Sequence, residues 1–130
     1  MSNSVISLLE VDGNITGYGL LLYRSGTSLV RLYSLAILPD QRSLGLGKAL
    51  MQQLELSAQQ HDCVYLRLEV RLDNERAIAL YQRLGYRQFN RKQDYYEDHS
   101  EALCFEKRII YPQPETPLQV PYYPQTKKAC

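Results

Sequence analysis

The first part of the chain consists of short apolar runs separated by polar and turn-forming residues, a pattern that is typical of β-strands joined by tight turns. Residues 4–11 (SVISLLEV) and 15–23 (ITGYGLLLY) form two such segments, and Asp12-Gly13-Asn14 between them predicts a tight hairpin turn. Residues 28–38 are apolar on nearly both faces, which favours a central strand, and Pro39 ends it. This part of the chain therefore predicts a three-stranded meander.

Two later segments repeat their apolar residues at helical spacing. The first covers residues 45–60 and carries a stripe of five apolar residues: Leu46, Leu50, Met51, Leu54 and Ala58. The second begins after Asp73, a plausible N-cap, and ends at Gly85; its stripe is Ala77, Leu80, Tyr81 and Leu84. We therefore expect two amphipathic helices.

Three further strands complete the prediction. In residues 63–70 the aliphatic residues share one side, while Tyr65, Arg67 and Glu69 share the other. Residues 86–92 and 101–109 are the remaining strands, on either side of a polar loop. The order of elements predicts one mixed α/β sheet.

The length of 130 residues suits one compact domain, which we assign to residues 1–110. Five of the six prolines lie within residues 112–124, so we expect residues 111–130 to form a Pro-rich tail or linker. No internal repeat is visible.

The formal net charge of +1 gives no general attraction for nucleic acid or for an anionic membrane, and we expect neither as a partner. The N-terminus does not have the pattern of a secretory signal. The three cysteines, Cys63, Cys104 and Cys130, are far apart in the sequence, which argues against a zinc site. We expect a cytoplasmic protein that holds no metal.

A glycine-containing loop precedes the first helix, in the stretch PDQRSLGLGKALMQQLE (residues 39–55). It is not a P-loop, because Arg42 and Ala49 stand where that motif needs a glycine and a Ser or Thr. It is not the dinucleotide fingerprint, because Leu50 replaces the third glycine. The loop could hold a pyrophosphate at the helix N-terminus, or it could be a plain loop-to-helix junction.

Two blocks of sequence, LAILPDQRSLGLGKAL and then LRLEVRLDNERAIALYQRLGY, resemble the GCN5-related N-acetyltransferase (GNAT) superfamily. The similarity covers residues 29–108 and is greatest to bacterial enzymes that acetylate the N-terminal alanine of a ribosomal protein. It implies an acyl-CoA N-acyltransferase fold with acetyl-CoA in a V-shaped opening between the central strand and the next one. It also implies acetyl transfer from acetyl-CoA to a primary amine, such as a protein or peptide N-terminus, by direct attack in a ternary complex.

The resemblance also implies roles for individual residues. The pyrophosphate would lie on the loop formed by Arg42, Ser43, Leu44, Gly45, Leu46, Gly47 and Lys48. Ile37 would bind the pantetheine arm through its backbone, Asn74 would contact the same arm, and the amide of Leu35 would point at the thioester oxygen. Glu69 matches the general base and Tyr81 the general acid that protonates the CoA sulfur.

Each assignment has a simpler alternative. Tyr81 lies on an apolar stripe and could be a core tyrosine, and Glu69 could be a solvated residue on the outer face of its strand. Tyr95 and Tyr96 match the acceptor-peptide site, but they could also pack at a strand edge.

The chain departs from the family at both ends. The fold usually opens with a strand and one or two helices that build a wall of the acceptor site, and that unit is missing from this sequence. Either the chain is a fragment, or a partner supplies the wall, as a second copy would in a homodimer. At the other end, LQVPYYPQTKKAC resembles the opening of a C39-like cysteine peptidase domain.

Two rival functions follow from these observations. The acceptor could be a small amine or a lysine instead of an N-terminal α-amine. Alternatively, the chain could be a catalytically weak acetyl-CoA-binding module with a regulatory role.

Overall fold

The computed structural model of the protein describes residues 2–39 and 45–110. Along the chain the elements are β1 (Ser2–Val11), β2 (Asn14–Arg24), β3 (Leu29–Ile37), α1 (Leu46–Gln60), β4 (Tyr65–Arg71), α2 (Glu75–Arg83), β5 (Arg87–Lys92) and β6 (Ala102–Arg108). The strands form one sheet in the order β1-β2-β3-β4-β6-β5. Among the strands of the described residues, only β3 and β4 pair in parallel. The predicted mixed α/β sheet is confirmed, whereas the Pro-rich tail lies outside the described residues.

The hairpin between β1 and β2 closes through Asp12 and Gly13, two of the three residues that the sequence indicated, and Asn14 begins β2. Asp12 and Gly13 have φ angles of 53° and 82°, and two consecutive positive values are what a two-residue hairpin turn requires. Asparagine, aspartate and glycine tolerate this region better than other residues do. Local chemistry therefore sets the register of the first two strands.

Helix α2 ends in a Schellman motif. Gly85 takes φ 95° and donates to the carbonyl of Gln82 at 3.1 Å, while Tyr86 donates to the carbonyl of Tyr81 at 2.9 Å. The rings of Tyr81 and Tyr86 meet edge to face with their centroids 5.8 Å apart, which supplies the apolar contact of this motif. The stretch LYQRLGY therefore fixes the position of Tyr81 as well as the end of the helix.

Both helices join one hydrophobic core on one face of the sheet. The core includes Leu50, Met51, Leu54 and Ala58 of α1, Tyr81 of α2, and the inward residues Leu21, Val30, Leu32, Leu66, Leu68, Val70 and Phe105 of the sheet. Gly19 allows α1 to approach β2, because a Cβ there would lie 2.5 Å from a methyl group of Leu54. The predicted apolar stripes are thus the buried faces of both helices.

The opposite face of the sheet is open in the described part of the chain. Several of its large side chains are exposed, among them Ile6, Leu8, Tyr18 and Tyr33. The prediction that β3 is apolar on nearly both faces is therefore wrong, because Arg31 and Tyr33 lie on this open face, opposite to buried Val30 and Leu32. β3 is nevertheless central, with β2 and β4 on its two sides.

One more detail differs from the predictions, and the strand order goes beyond them. The N-cap of α2 is Asn74, not Asp73, and its side chain accepts a hydrogen bond from the amide of Ala77 at 3.2 Å. β6 lies between β4 and β5, a swap of order that no local pattern indicates. None of the helices within the described ranges is both long and apolar enough to cross a membrane.

The N-cap assignment predicts different effects for two adjacent substitutions. Asn74→Ala should lower the free energy of unfolding by about 1 kcal/mol, because an orphan amide of the first turn loses its acceptor. Asp73→Ala should cost less than about 0.5 kcal/mol, because its ion pair with Arg71 is exposed. Urea denaturation of both variants checks this, and a larger loss in Asp73→Ala would contradict the assignment.

Candidate active site

The parallel pairing of β3 with β4 is short. Its register runs from Leu29 opposite Tyr65 to Leu32 opposite Leu68. Both strands then continue, β3 to Ile37 and β4 to Arg71, without further pairing to each other. A gap therefore opens between two central strands at the carboxyl ends of the parallel pair.

A β-bulge coincides with the start of this gap. Leu21 of β2 pairs with Leu32, and the next pair joins Leu20 to Ser34, so Tyr33 is an extra residue on β3. A bulge bends its strand and increases the local twist. The bulge at Tyr33 thus accounts for the departure of β3 from β4.

The backbone of β3 beyond the bulge turns donors towards the gap. The amide of Leu38 donates to Thr16 of β2 at 2.8 Å. Because N–H directions alternate along a strand, the amides of Leu35 and Ile37 point to the opposite side, where β4 has moved away. The role of Leu35 as a donor to the thioester oxygen stays a prediction.

The described part of the glycine loop leads directly into α1. Gly45 is the N-cap residue with φ 75° and no side-chain capping bond, and the first turn of α1 carries no acidic residue. Such a helix start attracts anions, because its first amides lack intrahelical acceptors and the dipole is positive there. Leu46 is half-buried and Lys48 is exposed. Arg42, Ser43 and Leu44 lie outside the described residues.

Gly47 has a packing role that sequence reasoning missed. A Cβ at this position would lie 3.2 Å from Leu80 of α2 and 3.6 Å from Ile37 of β3. The missing side chain thus lets the start of α1 sit against α2 and the end of β3. The loop and the predicted pantetheine-binding strand are brought together by this contact.

Tyr81 follows Leu80 on α2 and is buried. Burial raises the pKa of its hydroxyl to about 12, so Tyr81 holds its proton at neutral pH. Asn74 lies at the start of the same helix, exposed, with its side-chain oxygen engaged in the cap. Both residues are therefore positioned by the ends of α2.

Glu69 lies on the open face, at the start of the gap, and its side chain is only 14% exposed. Arg31 Nε of β3 donates to Oε1 of Glu69 at 3.0 Å, and the Nη2 of the same guanidinium forms an ion pair with that oxygen at 2.9 Å. Lys92 Nζ lies 3.7 Å from Oε2, beyond hydrogen-bond distance. Arg31 also donates to the hydroxyl of Tyr95 at 2.9 Å. We call Arg31, Glu69, Lys92 and Tyr95 the Glu69 cluster.

The cluster raises the pKa of Arg31. Burial lowers the pKa of this guanidinium, but the charges and hydrogen bonds of Glu69 and Tyr95 outweigh it and raise the pKa above its usual value. Arg31 is therefore a permanent cation between the predicted base and the predicted acceptor loop.

Tyr95 and Tyr96 lie in the loop between β5 and β6, and their rings meet edge to face at 4.9 Å. The loop is closed by hydrogen bonds from both amides to the carbonyl of Ser100, at 3.0 and 3.3 Å. Arg71 holds it against β4, because its guanidinium lies over the ring of Tyr96 and donates to Asp98 at 2.6 Å. This hydrogen bond from Arg71 lowers the pKa of Asp98.

The predicted residues therefore fall into two groups. Ile37, Gly47 and Tyr81 belong to the helix-covered face, and Glu69 and Tyr95 to the open face. Sequence reasoning missed Arg31 and Lys92. The alternation of Arg31 with buried Val30 and Leu32 was a signal for a polar face, but it could not identify Glu69 as the partner. Across residues 2–39 and 45–110, no group of three side chains is arranged to hold a metal ion.

Residues 2–86 match the family described as the Acetyltransferase (GNAT) family. The chain belongs to the GNAT family. The predicted family is thereby confirmed.

Relatives of this GNAT chain include two archaeal proteins. An uncharacterised N-acetyltransferase of Methanocaldococcus jannaschii is 37% identical over 100 residues, covering 76% of this chain and 63% of that protein. An N-alpha-acetyltransferase of Sulfurisphaera tokodaii is 33% identical over 104 residues, covering 72% of this chain and 62% of that protein. The chain thus spans less than two thirds of the length of these curated relatives.

A solved structure shares the same fold. The ribosomal-protein-S18-alanine N-acetyltransferase from Escherichia coli superposes with a TM-score of 0.75 at 25% sequence identity. The superposition covers 88% of this chain and 75% of that one. The predicted GNAT-like acyltransferase fold is therefore confirmed.

The buried state of Tyr81 predicts a particular response to alkaline pH. Its folded-state pKa of about 12 lies above the ordinary value of 10.0, so its stabilising contribution is complete below pH 10 and is lost as the pH rises towards 12. Between about pH 9 and pH 11, the wild type should lose about 1 kcal/mol more unfolding free energy than Tyr81→Phe. Urea denaturation at the two pH values measures this, and equal losses would contradict a buried, protonated Tyr81.

Proposed function

We propose that this chain is an acetyl-CoA-dependent N-acetyltransferase that acts on a primary amine, with a protein or peptide N-terminal α-amine as the acceptor. The reaction is a direct attack of the amine on the thioester in a ternary complex. The setting we propose is the cytoplasm.

The observation that carries this proposal is the gap between β3 and β4. It begins at Leu32 and Leu68, and a carboxylate lies beside it on the open face. A helix N-terminus without a side-chain cap lies close to the far end of β3. A split sheet with an anion-attracting helix start on one side and a polar cluster on the other suits a long, phosphate-bearing donor and a separate acceptor.

On the donor side, the backbone does most of the binding. The loop from Arg42 to Lys48 and the first amides of α1 hold the pyrophosphate. Ile37 binds the pantetheine arm through its main chain, and Asn74 offers its amide group to the same arm while its oxygen caps α2. The amide of Leu35 donates to the thioester oxygen and stabilises the negative charge that develops there.

The chemistry needs one base and one acid. The amine nitrogen bonds to the thioester carbon and loses a proton to Glu69, for which Oε2 is suited because Arg31 holds Oε1. The carbon–sulfur bond then breaks, and Tyr81 gives its proton to the leaving sulfur. The raised pKa of Tyr81 supports this role, since an acid has to be protonated before the step.

The choice of acceptor rests on the properties of the amine and on the relatives. An α-amine has a pKa near 8, so on the order of a tenth of it is neutral at pH 7, whereas a lysine is almost entirely charged. A single carboxylate base therefore suffices for an α-amine. One relative is named as an N-alpha-acetyltransferase, and the E. coli enzyme as acting on the alanine of ribosomal protein S18. Tyr95 and Tyr96 bind the residues that follow the amine.

The acid assignment predicts that Tyr81→Phe lowers kcat by about a hundredfold or more and leaves acetyl-CoA affinity unchanged. Tyr86→Phe is the matched control, because Tyr86 is also a buried tyrosine in contact with Tyr81, but its hydroxyl donates to Glu55 at 2.7 Å. This control should keep its activity. Steady-state kinetics and calorimetry with acetyl-CoA measure both quantities, and full activity in Tyr81→Phe would remove Tyr81 from the mechanism.

The proposed acceptor and the base are tested together with a panel of amines. N-terminal peptides should be acetylated faster than a peptide whose only amine is a lysine, and faster than polyamines, and Glu69→Gln should lower kcat for all of them by about a hundredfold. Mass spectrometry of the products identifies the modified nitrogen. Binding of acetyl-CoA without transfer to any amine would indicate the regulatory module instead.

A further inference from the structure

A second carboxylate on the open face is surrounded by cations in the same way as Glu69. Glu106 of β6 lies opposite Arg67 of β4, whose Nε donates to Oε1 at 2.9 Å. Arg87 of β5 approaches the other oxygen at 3.8 Å. Arg67 is also the register neighbour of Arg31 in the parallel pair, so this group adjoins the Glu69 cluster.

The two groups together present cations to solvent. Four basic side chains share two carboxylates, which leaves an excess of two positive charges. The carboxylates are only 14% and 11% exposed, whereas Arg31, Arg67, Lys92 and Arg87 are 41%, 42%, 46% and 78% exposed. The surface of this region is therefore basic, although the chain as a whole is almost neutral.

Aromatic rings hold two of these cations in place. The guanidinium of Arg67 lies 4.5 Å from the centre of the Phe89 ring, and Lys92 Nζ lies 5.2 Å from that of Tyr95. Contacts of this kind keep a long side chain extended along the sheet. The positive charge is thus fixed in position relative to Glu69.

We propose that these four side chains, Arg31, Arg67, Arg87 and Lys92, form a binding surface for acidic residues that directly follow the acceptor amine. This inference rests on the proposed function, because it takes the amine to lie at Glu69. It names the acceptor class as N-termini with aspartate or glutamate in the next positions.

The geometry suits such a peptide. Arg67 precedes Glu69 by two residues on the same strand, a distance of about 7 Å, and an extended peptide advances about 3.3 Å per residue. The third residue of an acceptor that runs this way along the open face therefore lies over Arg67. The Arg87 guanidinium reaches the same region from β5, because both arginines lie against the Glu106 carboxylate, Arg67 at 2.9 Å and Arg87 at 3.8 Å. A carboxylate in this region gains hydrogen bonds from a guanidinium.

The test compares peptides that differ only in their second and third residues, which are Glu-Glu, Gln-Gln or Lys-Lys after an N-terminal alanine. For the wild type, kcat/KM should be about three- to tenfold higher for the acidic peptide than for the neutral one, and lowest for the basic one. The preference should shrink between about 20 mM and 300 mM salt, since the pairs are partly exposed.

The variant Arg87→Gln should reduce the acidic-to-neutral ratio by about two- to fivefold, whereas Arg87→Lys should keep most of it. Arg24→Gln is the matched control, because it removes the same charge from an exposed position on β2, several strands away from β5. This control should leave the ratio unchanged. An unaltered ratio in Arg87→Gln, or no acidic preference in the wild type, would overturn the proposal.

A binding measurement separates this proposal from the proposed function. Fluorescence anisotropy with the labelled acidic peptide requires no acetyl transfer. Arg87-dependent binding without acetylation would therefore support the acidic-peptide surface and contradict the proposed acetyltransferase reaction. Two other results would reject the surface as an acidic-peptide site. The first is Arg87-dependent binding of a short oligouridylate that is tighter than binding of the acidic peptide, which would indicate a nucleic-acid site. The second is a dimer that dissociates in Arg87→Glu while the peptide preference stays unchanged, which would indicate an interface between two copies.

Discussion

The early end of the pairing between β3 and β4 is the constraint on which the candidate site depends. In a continuous parallel ladder, the amide of Leu35 would be used by a carbonyl of the neighbouring strand. Because Tyr33 is an extra residue on β3, the ladder stops after Leu32 and Leu68, and that amide faces a gap instead. One inserted residue thus converts the middle of a sheet into an opening with backbone donors along one side.

The two faces of β4 bring different chemistry to this opening. Leu68 and Glu69 are consecutive, so they point to opposite sides of the sheet. The Leu68 side is covered by α1 and α2, and Tyr81 is buried there away from water. This burial raises the pKa of the Tyr81 hydroxyl. The Glu69 side is polar and carries cations over nearly buried carboxylates. The two faces of β4 therefore provide an apolar environment for the proposed acid, Tyr81, and an ionic environment for the proposed base, Glu69.

The predictions that proved accurate depend on local chemistry. The Asp12-Gly13 turn and the helix stop at Gly85 need positive φ angles, and the residues at those positions adopt them easily. The errors also have physical reasons. Asp73 and Asn74 are both good N-caps, so a pattern cannot choose between neighbours. The alternation of Arg31 with Val30 and Leu32 indicated a polar face of β3, but the many apolar residues of the strand led to the wrong prediction. The insertion of β6 between β4 and β5 depends on long-range pairing.

The sequence by itself determined the elements, the buried faces of the two helices and the family, because helical period, turn chemistry and the two motif blocks can all be read along the chain. Only the tertiary structure decided that Arg31 meets Glu69, 38 residues away, and Tyr95, 64 residues away. Alternation along a strand tells which face a residue occupies, but the neighbours on that face depend on strand order and register. The ion-pair surface therefore exists only in the folded sheet.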